Sequence, residues 1–355
     1  MKARAFRNSK PPGLSPQPFF MISNPSPNPS KILIIHSGGI GDLLLALPAL
    51  GLFRQAFRHS PLHLMGHPER LAVLAHDLKA EGIHSVDQAG MAYFFLDDAP
   101  LPPHLSGFFS SFGPVLAFSG KSGETLAKNL EKAGATRVLI LPSFPPEGLK
   151  VHVADFLIES LRKKGIEGQV PDHPLQLSEE ALNFSRDYWT RTGLMEDERV
   201  LAIHPGSGNP VKNWSPGHFA AVADWAAGRA RVLLISGPAQ DGVQEVRENL
   251  RRATPLVAEN LSLLQLAAIL RGCTAYLGND SGITHLASSL GLATVALFGP
   301  TDPELWGPRG ASVRIMFSMR PDLLYLSGPQ SHRYAPCAVN LEPDEVIAVL
   351  ALLVG

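Results

Sequence analysis

Apolar runs of strand length alternate with helix-period segments along most of this chain, in two separate blocks. In the first block the runs begin at Lys31–Ile35 and end at Arg137–Leu141, and in the second they begin at Val200–His204 and end at Thr294–Phe298. Runs that are apolar at nearly every position are typical of parallel strands covered by helices on both faces. The alternation therefore predicts an α/β fold with two doubly wound parallel sheets.

The same pattern divides the chain into parts. A length of 355 residues exceeds the size at which one core usually stops growing, so two domains are expected. The first 30 residues carry seven prolines and four basic side chains, which predicts a disordered tail or a misassigned start with Met21 as the true one. The predicted parts are a tail over residues 1–30, a first domain over 31–170, a linker over 171–195, a second domain over 196–335 and a C-terminal segment over 336–355 with a closing helix at Glu342–Val354.

A glycine-rich turn, His36-Ser-Gly-Gly-Ile-Gly-Asp42, follows the first predicted strand. Its three glycines allow the backbone to approach a ligand closely, although their spacing is not that of the dinucleotide-binding fingerprint. Asp42 is a natural N-cap for the next helix, and Pro48 is expected to kink or delimit that helix. A carboxylate at this edge of the sheet could equally remove a proton from a sugar hydroxyl, so Asp42 is either a structural cap or a catalytic base.

A second polar turn spans His204–Phe219 and again joins a predicted strand to a predicted helix. Ser207 and Gly208 offer a hydroxyl and a backbone N–H to phosphate oxygens, and Lys212 offers a positive charge. The alternative for Lys212 is a solvated loop lysine. Trp214 is expected to pin the loop to the core, and the two histidines that bound the turn are expected to be structural.

The third turn lies within Leu277–Asp302, where a strand end is followed by polar residues, an amphipathic helix, another strand and a Gly-Pro-Thr-Asp turn. The polar residues gathered at the start of the helix are Asp280, Ser281, Gly282, Thr284 and His285. Free backbone N–H groups and the helix dipole attract an anion there, typically a phosphate. The alternative is that Asp280 or Ser281 only caps the helix and that His285 is a satisfied surface residue.

Composition excludes several other classes of protein. A formal net charge of −1 does not favour nucleic-acid binding, which requires a basic excess. The two cysteines lie far apart without a CxxC motif, which argues against a zinc site or a disulfide framework and fits a reducing cytoplasm. No apolar run approaches the roughly 20 residues of a membrane span. No acidic pair with metal-binding spacing lies beside the phosphate-type turns, and neither a metal nor a cofactor is expected.

In combination, the three turns resemble those of glycosyltransferase family 9, the heptosyltransferases of lipopolysaccharide core assembly. The resemblance runs from about Lys31 to the C-terminus, and His152-Val-Ala-Asp-Phe156 is similar to the segment that closes the family's first domain. Three blocks carry it in the family's order: Ile40-Gly-Asp-Leu43 with Leu47-Pro-Ala-Leu50, Pro205-Gly-Ser207 with Lys212-Asn-Trp-Ser-Pro216, and Asn279-Asp-Ser-Gly-Ile-Thr-His-Leu286 with Phe298-Gly-Pro-Thr-Asp302.

The resemblance implies a GT-B fold, in which two Rossmann-like domains face a central cleft. It further implies inverting, metal-independent transfer of a sugar, heptose from ADP-heptose, to a lipid-linked saccharide, by an enzyme that is cytoplasmic or peripheral at the inner face of the cytoplasmic membrane. Asp42 matches the family's proposed general base. The donor-binding positions that it implies are Ser207, Gly208, Lys212, Asp280, Ser281, Gly282, His285 and, near the nucleoside, Asp241, with Gln240 as the alternative to Asp241.

Two other functions remain open at this level. One is another GT-B enzyme, such as a nucleotide-sugar epimerase or a glycosyltransferase of different specificity. The other is a non-catalytic binder of nucleotide sugars, against which Asp42 argues because donor binding in the second domain does not require it. The Pro-rich tail and the irregular stretch between Asp87 and Pro114 have no counterpart in the family pattern.

Overall fold

The computed structural model describes residues 30–195, 197–237, 242–318 and 339–354, which form two parallel α/β sheets with helices packed on them. The predicted disordered tail therefore lies outside the described residues except for Ser30. Asp241, Gln240 and the first part of the predicted C-terminal segment lie outside them as well.

The first sheet has five parallel strands in the order β3-β2-β1-β4-β5. The strands are β1 (Lys31–His36), β2 (Leu62–Gly66), β3 (Ala80–Ser85), β4 (Phe112–Phe118) and β5 (Arg137–Leu141). The helices that follow them are α1 (Ile40–Ala56), α2 (Pro68–Ala75), α3 (Pro103–Phe109), α4 (Gly123–Lys132) and α5 (Val153–Arg162), with a short 3₁₀ helix at Met91–Phe95. Every β1 residue after Lys31 is buried, as a central strand covered on both faces requires.

The second sheet has six parallel strands in the order β11-β10-β9-β6-β7-β8. They are β6 (Val200–His204), β7 (Arg231–Ile235), β8 (Leu256–Ala258), β9 (Ala275–Asn279), β10 (Ala293–Phe298) and β11 (Val313–Phe317). The helices of this half are α6 (Glu179–Arg191), α7 (Pro216–Ala226), α8 (Val243–Asn249), α9 (Leu263–Arg271), α10 (Gly282–Ser289), α11 (Pro303–Trp306) and α12 (Pro343–Val354), with a 3₁₀ turn at Pro210–Lys212. The strand order reverses between β6 and β9, so the turns after these two strands flank a switch point, where parallel sheets bind ligands.

The start of the first helix differs from the prediction that Asp42 is its N-cap. Gly39 is the N-cap, in an extended conformation, and α1 begins at Ile40. Asp42 is therefore the third helical residue, and its Oδ2 accepts a hydrogen bond of 3.0 Å from the Gly39 N–H. The carboxylate still satisfies a free donor at the helix start, but it does so from inside the first turn. The helix continues through Pro48 to Ala56, so of the two effects expected of Pro48 only the kink stays a prediction, because Pro48 does not delimit the helix.

The structure contains several helices and strands that the sequence pattern did not predict. Helix α6 occupies most of the second half of the predicted linker and packs on α9. The stretch between Asp87 and Pro114 holds the 3₁₀ helix and α3. The third parallel strand, β3, has alternating exposed and half-buried residues because it is an edge strand, and this pattern does not resemble a buried parallel run.

The N-terminal ends of α1 and α10 meet where the two halves of the molecule contact each other. A Cβ atom placed on Gly282 would lie 3.1 Å from the Gly41 amide nitrogen and closer still to the Ile40 side chain. A Cβ atom on Gly41 would lie 3.4 Å from the Gly282 Cα. The helix starts approach so closely because position 282 is glycine, whereas a Cβ atom at position 41 would make ordinary van der Waals contact. The contact brings the carboxyl edges of β1 and β9 to opposite walls of one cleft.

We expect Gly282→Ala to destabilise the protein, because its methyl group has no space between α10 and the Ile40–Gly41 backbone. Overpacking of this kind costs about 1–3 kcal/mol. The matched control is Gly107→Ala in α3, where an added Cβ meets nothing within 4 Å and alanine improves helix propensity. Urea denaturation of both variants measures the difference. A Gly282→Ala protein as stable as Gly107→Ala would contradict the close contact.

Candidate functional site

A cavity of about 670 Å³ lies between the two halves of the molecule, at the meeting point of α1 and α10. Its lining residues come from both sheets' carboxyl edges: Gly39, Ile40, Gly41, Asp42, Leu45, Gly208, Asn209, Lys212, Asp280, Ser281, Gly282, His285, Thr301 and Trp306. Seven of the predicted site residues line this one cavity. Ser207 is not among the lining residues, and Asp241 lies outside the described residues.

One wall of the cleft belongs to the first half of the molecule. It is the turn between β1 and α1, which carries Asp42. The turn is fixed by Arg70, which donates to the Gly38 carbonyl at 2.9 Å, and by the Gly38 N–H, which donates to His36 Nδ1 at 3.3 Å. His36 is buried against Phe118, and this burial lowers its pKa to about 4. A neutral imidazole therefore supports the turn at neutral pH, and Asp42 is the acidic side chain of this wall that lines the cavity.

Lys212 and Asp280 form an ion pair on the opposite wall. The Lys212 Nζ lies 2.7 Å from Asp280 Oδ2, and the two side chains are 29% and 8% exposed. Lys212 is therefore held in place and is not a solvated loop lysine. Since the ammonium group is already at the cavity surface, it offers a positive charge at a fixed position to any anion that enters.

Asn279 at the end of β9 fastens the loop that carries Lys212. Its fully buried side chain accepts a hydrogen bond from the Trp214 N–H at 2.9 Å and donates to the Pro205 carbonyl at 2.7 Å. Trp214 is itself buried and donates through Nε1 to the Leu341 carbonyl at 2.9 Å, which confirms that it pins the loop to the core. The loop after β6 and the turn after β9 are thus one connected unit. Sequence reasoning missed the role of Asn279, although its place before Asp280 in a polar turn was a signal.

The turn before α10 is buried and closely hydrogen-bonded. Ser281 is the N-cap of α10, and its Oγ accepts from the Thr284 N–H at 3.3 Å. Thr284 is fully buried; its hydroxyl contacts the hydroxyls of Ser281 and Tyr276, each at 3.1 Å, and donates to the Asn279 carbonyl. The capping role foreseen for this turn belongs to Ser281 and not to Asp280. The remaining free N–H groups at the start of α10, and with them the positive end of the helix dipole, face the cavity.

His285 lies in the first turn of α10 and is only 6% exposed, so the alternative of a surface histidine was wrong. Its burial follows from the helix contact, because a Cβ on Gly41 would lie 3.5 Å from the His285 ring. Burial lowers the pKa of His285 to about 4, against a smaller opposing effect of Asp280. The ring is therefore neutral at physiological pH and can exchange hydrogen bonds with a ligand without adding charge.

Ser207 serves the loop and does not reach the cavity. Its Oγ donates to the Asn209 carbonyl at 2.7 Å and accepts from the Asn209 N–H at 3.2 Å. The lining residues outside the predicted set include Asn209, Thr301 and Trp306. For Thr301 the available signal was the Gly-Pro-Thr-Asp turn directly after a buried strand.

Within the described residues, no group of three or more His, Cys, Asp or Glu side chains is arranged to hold a metal ion. The cation that an entering phosphate would meet is Lys212, supplemented by the starts of α1 and α10. Among the described residues, no helix has both the length and the apolar character needed to span a membrane.

Comparisons with known proteins show which family this chain is similar to. The model of "Glycosyltransferase family 9 (heptosyltransferase)" matches residues 149–327, which include the Lys212 loop and the α10 turn. Lipooligosaccharide heptosyltransferase 2 of Haemophilus influenzae is 25% identical over 187 residues, which cover 50% of this chain and 52% of that protein. Lipopolysaccharide heptosyltransferase 2 of Escherichia coli K12 is 24% identical over 186 residues, covering 50% and 53%. The matches thus span about half the length of these relatives.

Solved structures share the fold over nearly the whole chain. A family 9 glycosyl transferase from Veillonella parvula superposes with a TM-score of 0.74 and 21% identity, covering 92% of this chain and 97% of that one. The Escherichia coli ADP-heptose lipopolysaccharide heptosyltransferase II has a TM-score of 0.66 and 17% identity, covering 91% and 98%. The predicted arrangement of two Rossmann-like domains about a cleft, the GT-B fold, is confirmed.

Proposed function

This chain belongs to glycosyltransferase family 9, and from that premise we propose that it transfers a sugar from a nucleotide donor to a lipopolysaccharide-core or related surface-glycan acceptor. The observation that carries the proposal is the placement of Asp42 on one wall of the cleft and of Lys212 with the start of α10 on the other. The curated relatives are named heptosyltransferases, and the solved Escherichia coli structure is named for ADP-heptose, so heptose from ADP-heptose is the proposed donor.

The reaction needs a base for the acceptor hydroxyl and a stabilised leaving group. Asp42 takes the hydroxyl proton as the acceptor oxygen forms its bond to the anomeric carbon. The bond from that carbon to the diphosphate breaks, and the diphosphate takes the electron pair. Lys212 and the N–H groups at the start of α10 stabilise the negative charge that develops there. Base and leaving-group site lie on opposite walls, which supports attack with inversion.

Asp280 has a supporting role in this scheme. A carboxylate beside a diphosphate is repelled by it, whereas its ion pair with Lys212 sets the direction of the ammonium group. We therefore infer that Asp280 serves Lys212 and the sugar hydroxyls, and that the phosphate oxygens meet Lys212 and backbone N–H groups. His285, neutral because burial lowers its pKa to about 4, is placed to exchange hydrogen bonds with the sugar or the diphosphate.

A lipid-linked acceptor would place the reaction at the inner face of the cytoplasmic membrane, with peripheral contact at most. Asp241, which precedes α8, remains our proposed contact to the nucleoside. Nucleic acid is not proposed as a partner, because the formal net charge is −1.

Replacement of Asp42 by Asn separates its proposed role as the catalytic base from its role in holding the start of α1. Asn at this position can still accept the Gly39 N–H bond, so Asp42→Asn should melt close to the wild type while losing transfer. The control Asp187→Asn removes an exposed charge from α6 and should change neither quantity. Transfer above about a tenth of the wild-type rate, which corresponds to less than about 1.4 kcal/mol of barrier, would reduce Asp42 to a structural residue.

If Lys212 stabilises the leaving diphosphate, sugar transfer does not require a metal ion. Transfer should persist in EDTA, and Lys212→Met should weaken donor binding at least tenfold and flatten its dependence on salt. Lys163→Ala, which removes an exposed lysine at the end of α5, should leave donor affinity unchanged. Donor affinity by calorimetry at two salt concentrations measures the effect. Activity that is lost in EDTA and restored by magnesium or manganese contradicts this mechanism.

Thermal-shift measurements with a panel of nucleotides test the donor. A ligand that binds only the folded state stabilises it by about 2.7 kcal/mol at a hundredfold excess over its Kd. ADP and ADP-sugars should therefore raise the melting temperature more than their UDP, GDP and CDP equivalents. A stronger response to UDP or GDP would exclude ADP-heptose but keep the enzyme class, and no response to any nucleotide would overturn the proposed function.

A further inference from the structure

Two aromatic rings from opposite halves of the molecule lie side by side, and one of them lines the cleft. Trp306, at the end of α11, lines the cavity together with Asp42 and Lys212. Its ring centroid lies 5.2 Å from that of Phe144, in the loop between β5 and α5, with an angle of 57° between the ring planes. Phe144 is 42% exposed and Trp306 is half-buried. Neither ring is therefore covered completely by the protein.

The segment that follows Trp306 is fastened to the first turn of α5. The Gly307 carbonyl accepts a hydrogen bond from His152 Nε2 at 2.9 Å. The other ring nitrogen of His152 accepts from the Ala154 N–H at 3.2 Å, so a neutral histidine with its proton on Nε2 satisfies both contacts. Arg309 forms two hydrogen bonds of 2.7 and 2.6 Å with the Asp155 carboxylate. The indole of Trp306 is thus positioned by contacts with the other half of the protein.

The chemical character of the cavity makes Trp306 unusual. Apart from the His285 imidazole, Trp306 is the only aromatic side chain among the described residues that line it. The remaining walls are mostly glycines, charged groups and short polar side chains. A pyranose ring presents hydroxyls at its edge and C–H groups on its faces, so it combines polar contacts with packing on an aromatic ring. A large aromatic surface beside a carboxylate and an ammonium group fits a sugar better than it fits a diphosphate.

We propose that Trp306, backed by Phe144, is the surface on which the acceptor saccharide packs, so that one of its hydroxyls is held against Asp42. This inference rests on the proposed function and adds a residue that determines acceptor binding. The acceptor is favoured over the donor because Phe144 belongs to the half of the molecule that carries Asp42, and because in the proposed function Lys212 and the start of α10 already supply the diphosphate site.

Direct binding tests the surface without chemistry. The probe is the core oligosaccharide released from lipopolysaccharide of a strain deleted for this gene, titrated into the full-length protein loaded with ADP. Wild type should bind it, Trp306→Phe should stay within about threefold of wild type, and Trp306→Ala should bind at least tenfold more weakly. Phe144→Leu should have a smaller effect in the same direction. Trp225→Ala is the matched control, because Trp225, on α7, packs against Arg229 and does not line the cleft.

Two further readouts distinguish packing from folding and from catalysis. The thermal shift produced by ADP should be the same for Trp306→Ala as for wild type, and the KM for the oligosaccharide should rise with little change in the KM for the donor. Loss of the ADP shift in Trp306→Ala, while Trp306→Phe keeps it, would mean that Trp306 serves the donor site and would overturn the proposal.

Equal oligosaccharide binding by wild type and Trp306→Ala, or no binding by wild type, would also overturn it. Failure of the proposed function has a separate signature. A wild-type protein that binds the oligosaccharide through Trp306 but transfers no sugar to it from any nucleotide donor would retain the aromatic surface and lose the transferase assignment.

Discussion

The close approach of two helix starts, at Gly41 and Gly282, is the contact on which the rest of the site depends. Each helix begins directly after a central strand of its own sheet, so joining the two starts also joins the carboxyl edges of the two sheets. A side chain at Gly282 would have to push Ile40 and the Gly41 backbone away. Without this contact, Asp42 and the α10 turn would belong to separate surfaces, and His285 would lose the cover that keeps it neutral.

The charges of the cleft are balanced before any ligand arrives. Two helix starts and the Lys212 ammonium favour an anion, while Asp42 and Asp280 oppose one. Because Asp280 is only 8% exposed and lies 2.7 Å from Lys212, each of these charges is compensated by the other. In the proposed reaction, the diphosphate would share Lys212 with Asp280, which already holds the ammonium group in place. The two buried histidines of the site, His36 and His285, have pKa values of about 4 and leave this balance unchanged near neutrality.

The sequence could predict those parts of the structure that local patterns encode. Central strands such as β1, β6 and β9 are apolar at nearly every position, and the polar turns that follow them marked the walls of the cleft correctly. The edge strand β3 and the half-exposed strand β11 lack such a pattern, because burial on one side only does not require a continuous apolar run. The prediction that Asp42 is the N-cap of α1 was wrong, because Gly39 takes that position and Asp42 is the third helical residue. A glycine can be an N-cap without any side-chain signal in the sequence. Trp306 contacts Phe144, and Asn279 contacts the Pro205–Trp214 loop. These partners are far away in sequence, so no local pattern reveals the contacts.

Among the described residues, the contacts that join the halves of the protein near the cleft differ in strength. The ion pair between Asp155 and Arg309 is about half exposed on both partners, so it contributes roughly 1 kcal/mol or less. The contact at Gly41 and Gly282 is close-packed and continues into the burial of His285 and the packing of α1 on α10. Loss of close packing of this kind costs more than loss of an exposed ion pair, because no water molecule can replace the missing contacts. The helix starts therefore fix the distance between Asp42 and the α10 turn, whereas the Trp306–Arg309 segment sets the position of one aromatic ring.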